Sequence, residues 1–138
     1  MASPETFDAF AARLADWETT PVVYENDNFK LPATPAPFVF VEIVGDSYAQ
    51  DTFGAPGENM WLERGMTFLH VMVPSGTGSR AGRALANDLL YLFREQPIST
   101  LFMPEMSIGA GEPGRDFAQY FAVTASIAWH RRDITSIP

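Results

Sequence analysis

Residues 117–130 alternate with a period of two. Phe117, Gln119, Phe121, Val123, Ala125, Ile127 and Trp129 fall on one side, and Ala118, Tyr120, Ala122, Thr124, Ser126, Ala128 and His130 on the other. That period belongs to a strand. The run is longer than most strands, so it needs a neighbour of similar length. Residues 60–73 supply one. Met60, Leu62, Arg64, Met66, Phe68, His70 and Met72 share one face, and Trp61, Glu63, Gly65, Thr67, Leu69, Val71 and Val73 the other, with Gly65 expected to mark a bulge or bend. Strands this long should project beyond the core as β-arms or hairpin tips.

The remaining elements arrange themselves around this pair. Ser3 is a good N-cap, Pro4 suits the first helical position and Glu5 favours the dipole. Phe7, Phe10, Ala11, Leu14 and Trp17 then form an apolar stripe, which Thr19-Thr20-Pro21 ends. Val22-Val23-Tyr24 reads as a short edge strand, and residues 31–37, with three prolines, as an extended connector. Phe38 to Val44 is a strand, apolar on both faces except at Glu42, and residues 45–59 read as a long polar loop. After a turn at Pro74–Gly78, a helix is expected over 78–95, burying Ala81, Ala84, Leu85, Leu89, Leu92 and Phe93 and stopped by Pro97. A strand within 100–109, interrupted by Pro104, and a hairpin loop over 109–116 lead into the last strand. The order α-β-β-β-α-β-β, with consecutive strands, predicts an α+β fold: a mostly antiparallel sheet with two helices packed on it. One domain over 1–138 is expected from the length.

Composition removes several function classes. Nine Lys+Arg against 17 Asp+Glu give a net charge of −8, which disfavours DNA binding through the general surface and a polybasic membrane anchor. Cysteine is absent, so disulfides, thiolate metal sites and cysteine nucleophiles are excluded. Two histidines make a histidine-built zinc site a poor expectation. The first residues carry no basic, apolar leader, and no apolar window is long enough to span a bilayer, so neither a signal peptide nor a membrane segment is expected.

Few constellations could carry chemistry. Gly76-Thr-Gly78-Ser-Arg-Ala-Gly82 follows a strand and opens a helix, as a phosphate-cradling loop would. The parallel βαβ context of a dinucleotide site is missing, and the same residues read as a turn, with Gly82 allowing close helix–sheet packing. A small nucleotide-binding enzyme is the remote reading that this loop leaves open. His70 and His130 occupy strand positions without a nucleophile elbow and read as half-buried sheet residues. Asp46, Asp51 and Glu58 could pair as carboxylates but lack the order of a calcium loop.

The charge layout is more informative. Arg80 and Arg83 lie in the first turns of the second helix, where the dipole disfavours cations, and Asn87, Tyr91 and Arg94 continue the stripe. Arg131 and Arg132 add a second basic spot. These residues read either as a solvated face or as a contact with an acidic neighbour, and heterologous contacts of that kind can build rings. Asp46, Asp51, Glu58, Glu112 and Asp116 lie in or beside the two large loops. They read either as solubilising charge or as groups that line a lumen or grip a partner.

Several stretches carry a family resemblance. They are Thr20-Pro-Val-Val-Tyr-Glu-Asn after an amphipathic helix, Pro37-Phe-Val-Phe-Val-Glu-Ile before a glycine-rich loop, Glu63-Arg-Gly, Val71-Met-Val-Pro-Ser-Gly-Thr-Gly, and Arg80-Ala-Gly-Arg-Ala-Leu-Ala leading to Leu92-Phe-Arg. Over nearly its whole length the chain resembles the tail terminator or tail completion proteins of long-tailed bacteriophages. The resemblance implies a structural virion protein without catalysis or cofactor. Its copies would form a ring, expected to be hexameric, on the head-proximal end of the tail tube. The ring would stop tube polymerisation and meet the head connector or stopper protein, and DNA would pass through without specific binding. It would assemble in the host cytoplasm and reside in the virion tail. Arg80, Arg83, Asn87, Arg94, Arg131 and Arg132 are the expected interface residues, and Asp46, Asp51, Glu58, Glu112 and Asp116 the expected lumen or tube contacts. A stopper or adaptor of the head–tail joint is the alternative that the same motifs allow.

Overall fold

The computed structural model describes residues 3–96, 98, 100–109, 112–113 and 119–135. Helix α1 (Pro4–Leu14) starts as the sequence predicts: the Ser3 side chain accepts from the Thr6 amide, Pro4 occupies the first turn, and Thr6, Phe10 and Leu14 are buried. The helix closes before Trp17, because the amides of Asp16 and Trp17 bond three residues back, to Arg13 and Leu14, and tighten the last turn. Phe7 stays 40% exposed and leans on the Tyr24 ring, so the apolar stripe is narrower than expected.

Strand β1 (Val22–Tyr24) runs parallel to β2 (Phe38–Gln50), covering only Val39 to Val41. Strand β2 is antiparallel to β3 (Met60–Pro74), which is antiparallel to β6 (Tyr120–Ile134), which is antiparallel to β4 (Leu101–Ile108). The sheet order is β1-β2-β3-β6-β4, and β5 (Glu112–Pro113) pairs with β6 off this path. The fold is therefore α+β with the expected element order and one additional two-residue strand.

Several element boundaries, one bulge and one helix face differ from the sequence expectation. Strand β2 does not end at Val44: it continues to Gln50, so Asp46 lies in a strand and the loop is only 51–59. Residues 61–64 of β3 offer this polar segment ladder partners, and it lies on an arm where exposure costs nothing. The bulge falls between Gly45 and Ser47 of β2, whereas Gly65 keeps unbroken register with Trp129 of β6. Strand β6 starts at Tyr120, after Gln119 at φ +72°, and runs on to Ile134. Phe117 and Ala118 lie outside the described residues. The inward-outward alternation continues past Trp129, but Arg131 and Asp133 carry it with charge, which hides it from a hydrophobicity pattern.

Helix α2 (Arg80–Tyr91) is shorter than 78–95. Gly76 and Gly78 turn at φ +86° and +80°, which delays its start, and Glu95 at φ +54° follows its end. Pro97 lies outside the described residues. The buried face is Gly82, Ala86, Leu89 and Leu90, continued by Phe93; Ala81 and Ala84 are exposed, because close approach at Gly82 sets the helix's rotation. A Cβ on Gly82 would sit 2.9 Å from Cγ2 of Val123, whose branched side chain cannot swing away. Gly82→Ala should therefore lose about 1 kcal/mol in a chemical melt despite alanine's better helix propensity.

Both helices cover one face of the sheet. Phe10, Leu14, Ala86, Leu89 and Phe93 pack there on Val39, Val41, Leu69, Val71, Val123, Ala125, Ile127 and Trp129. On the opposite face Phe29 packs on Phe38 and the Ala36 amide donates to the Tyr120 hydroxyl, so the connector covers one end. Val44 and Phe102, 42% and 58% exposed, remain uncovered. The accessible surface is 8333 Å², against roughly 7,000 Å² for a compact chain of this mass.

Candidate interaction site

A buried ionic cluster ties α1 to the far end of the sheet. Glu63, 2% exposed, accepts from the Ser3 amide (3.0 Å), the Ser3 hydroxyl (3.1 Å) and the Thr6 hydroxyl (2.8 Å) on Oε1, and from Arg131 (3.3 Å) on Oε2. Arg131 also donates to Asp133 at 2.8 Å. Burial pushes the Glu63 carboxyl up, but the bonds from Ser3, Thr6 and Arg131 outweigh it and hold the group below its ordinary value. Burial likewise opposes the charge on Arg131, but Glu63 and Asp133 overcome it and raise that group. Arg131 is only 7% exposed, its Nη2 donates to both acids, and its Nε is buried without a hydrogen-bond partner, so it belongs to the framework. Within this chain it is not the surface group that the sequence suggested.

The other basic residues divide. Arg80, Arg83 and Asn87 lie exposed along α2 with Tyr91, and Arg94 is exposed in the turn beyond its end. Arg83 donates to the Ser79 hydroxyl at 3.4 Å, and the Arg94 guanidinium lies 5.4 Å from the Tyr91 ring centre. Among the described residues none of these three arginines has a carboxylate partner within ion-pair distance. Arg132 instead pairs with Asp51 at 3.0 Å, joining one expected interface residue to one expected lumen residue within a single chain. Asp46 is exposed on the β2 bulge and Glu58 in the 51–59 loop. Glu112 takes part in β5 through its backbone, and Asp116 lies outside the described residues.

The uncovered sheet face holds a feature that sequence reasoning did not assemble. The His70 ring stacks with Phe40 (6.0 Å) and Phe68 (6.1 Å), while Nδ1 meets Thr124 at 2.8 Å and Nε2 meets Glu42. His130 lies against Phe102 at 4.9 Å, and burial, then Arg132 and Arg64, lower its pKa. Both histidines are half-buried on the sheet, as expected. The available signal was Phe40, Phe68 and Phe102, which fall on one face of the sheet, but strand pairing had to be known before they could be grouped.

The Gly76–Gly82 loop behaves as a turn and a packing site. The strands that flank α2 in sequence, β3 and β4, are not neighbours in the sheet, so the parallel pair that a dinucleotide fingerprint requires is not formed. Among the described residues no three His, Asp or Glu side chains converge as metal ligands, and no helix is long and apolar enough to cross a membrane.

A family model described as phage tail terminator protein matches residues 5–129. One solved structure without a descriptive name is similar over 100% of this chain and 99% of its own, with 23% identity and a TM-score of 0.59, which supports the fold alone. No curated protein matches the sequence.

Proposed function

From the chain's membership of the phage tail terminator family, which makes it a structural protein of the bacteriophage tail, we propose that it assembles into a hexameric ring on the head-proximal end of the tail tube. There it ends tube polymerisation and joins the tube to the head connector, and DNA passes through the ring without specific binding. It acts without catalysis, and the ring forms from a single-domain protomer in the host cytoplasm.

The observation that carries the ring is the uncovered surface. The accessible area exceeds that of a compact chain by about 1,300 Å². Phe102 and Val44 are exposed on the sheet face opposite the helices, beside the half-buried Phe40–His70–Phe68 stack. Monomers seldom leave such patches without a partner. Arg80, Arg83 and Arg94, without an ion pair among the described residues, supply the polar part of the contact, and Asp46 and Glu58, with Asp51 beside Arg132, supply acid for the lumen or the tube.

Native mass against concentration tests the ring, with and without magnesium at moderate salt. The expected species is about 92 kDa, six times the 15.3 kDa chain. A monomer at every concentration and on tube ends would overturn it. Arg80→Glu with Arg83→Glu should abolish or weaken the assembly at least tenfold with an unchanged melting temperature, since both side chains are exposed. The net charge of −8 per chain should make assembly stronger as salt rises from very low levels. A stopper or adaptor role is the second reading, and binding to isolated tube ends separates it, because only a terminator prefers tubes.

A further inference from the structure

Among the described residues the sheet ends in two open edges on opposite sides. On one side is β4, the last strand in the sheet order. Pro104 and the register shift between Phe102 and Glu105 interrupt it, which leaves Glu105–Ile108 as its regular stretch. Helix α2 does not close over this edge: a groove of about 550 Å³, floored by Leu90, Met103 and Met106 and rimmed by Arg94, separates them. On the other side is the arm of β2. Strand β1 covers only Val39 to Val41, and beyond the bulge Ser47–Gln50 is again a regular stretch, with no strand on its outer side among the described residues. Tyr48 packs on Trp61 and donates to Asp133, which holds the arm in shape.

We propose that Glu105–Ile108 of one copy pairs with Ser47–Gln50 of the next, so that a second copy of this chain extends the sheet at its β4 edge. The inference rests on the ring reading and names the contact that builds it. Three observations carry it. The two regular stretches match in length, and a one-residue offset sets Ser107 opposite Ala49 or Ser47, which keeps the sheet faces continuous. They lie on opposite edges of one sheet, so the contact is heterologous and can close into a ring. Their directions also agree: β2 and β4 run in opposite senses within the sheet, because three antiparallel steps separate them. Rotation about a ring axis along the strands preserves those senses, so β4 meets the neighbour's β2 antiparallel, like every long pair already present. Charge agrees as well, with Arg94 on the groove rim and Asp46, exposed and without an ion pair among the described residues, on the bulge beside the arm stretch.

The chain has no cysteine, which makes the test direct. Ser107 and Ala49 are exposed and lie on the same face of the sheet, opposite Ser126 and Leu62. Under mild oxidation Ser107→Cys alone and Ala49→Cys alone should stay monomeric on a denaturing, non-reducing gel. An equal mixture of the two should give a covalent dimer, and the double variant a ladder that ends at the ring size. Ser47→Cys in place of Ala49→Cys covers a two-residue difference in register. A native oligomer without any cross-link in either register would overturn the pairing and leave the ring intact. Dimers from one single variant alone would also overturn it, since they mark an isologous contact. A native mass that stays monomeric on tubes and off them would remove the ring and the pairing together.

Discussion

Glu63→Ala should destabilise the chain by about 3–5 kcal/mol, the range for removing one partner of a buried ion pair. The carboxylate is 2% exposed and holds the amide and hydroxyl of Ser3, the hydroxyl of Thr6 and the Arg131 guanidinium. Its loss leaves Arg131 buried with Asp133 as its one charge partner among the described residues and frees the N-terminus of α1 from the sheet. The pH dependence follows from the sign of the shift. Glu63 is held below its ordinary value in the fold, so its stabilisation is present above the unfolded carboxyl range, near 4.3, and disappears as pH falls through the folded value. Urea melts of the native chain and Glu63→Gln should therefore differ most at neutral pH and converge in acid. A difference under about 1 kcal/mol at pH 7 would show that the cluster contributes little.

Trp129→Ala should cost about 3–5 kcal/mol through the cavity it leaves. The ring is 2% exposed, meets Phe10 at 6.3 Å, and donates from Nε1 to the Thr67 hydroxyl at 3.0 Å. It also lies over Gly65, where a Cβ would come within 2.5 Å of the ring and 2.3 Å of the Val44 carbonyl oxygen. The backbone at Gly65 is thus shaped to receive an indole. Trp129→Phe keeps most of the ring volume but leaves Thr67 without its donor, and should cost about 1–2 kcal/mol. Equal melting midpoints for the phenylalanine and alanine variants would contradict this packing account.

The sequence was most legible where hydrophobicity and burial coincide. The β3 alternation and the Val123–Trp129 half of β6 carry both, and so does the Ser3–Pro4 helix start. Legibility failed where polar groups took buried positions or strand pairing overrode composition. Thr6, Glu63 and Arg131 are buried because they satisfy one another across three elements. No local pattern announces a contact between residues separated by more than fifty positions. The segment Gly45–Gln50 has the composition of a loop, and only the β3 strand beside it makes it a strand. In α2 the phase of the buried face was set by Gly82, which a count of apolar residues ignores. Of the expected interface residues, Arg80, Arg83 and Asn87 are exposed on one side of α2 at helical spacing, and Arg94 is exposed beyond its end. Arg131 and Arg132 point to opposite faces of β6, where Arg131 is held in the buried cluster and Arg132 pairs with Asp51.

The central claim is that this chain ends the growth of a tail tube. The most direct measurement adds the gold-labelled protein to polymerising tail-tube subunits and follows label position and tube length by electron microscopy. The account predicts label at one end of each tube and no further elongation from that end. Label scattered along the tubes, or unlabelled tubes growing at an unchanged rate, would contradict it.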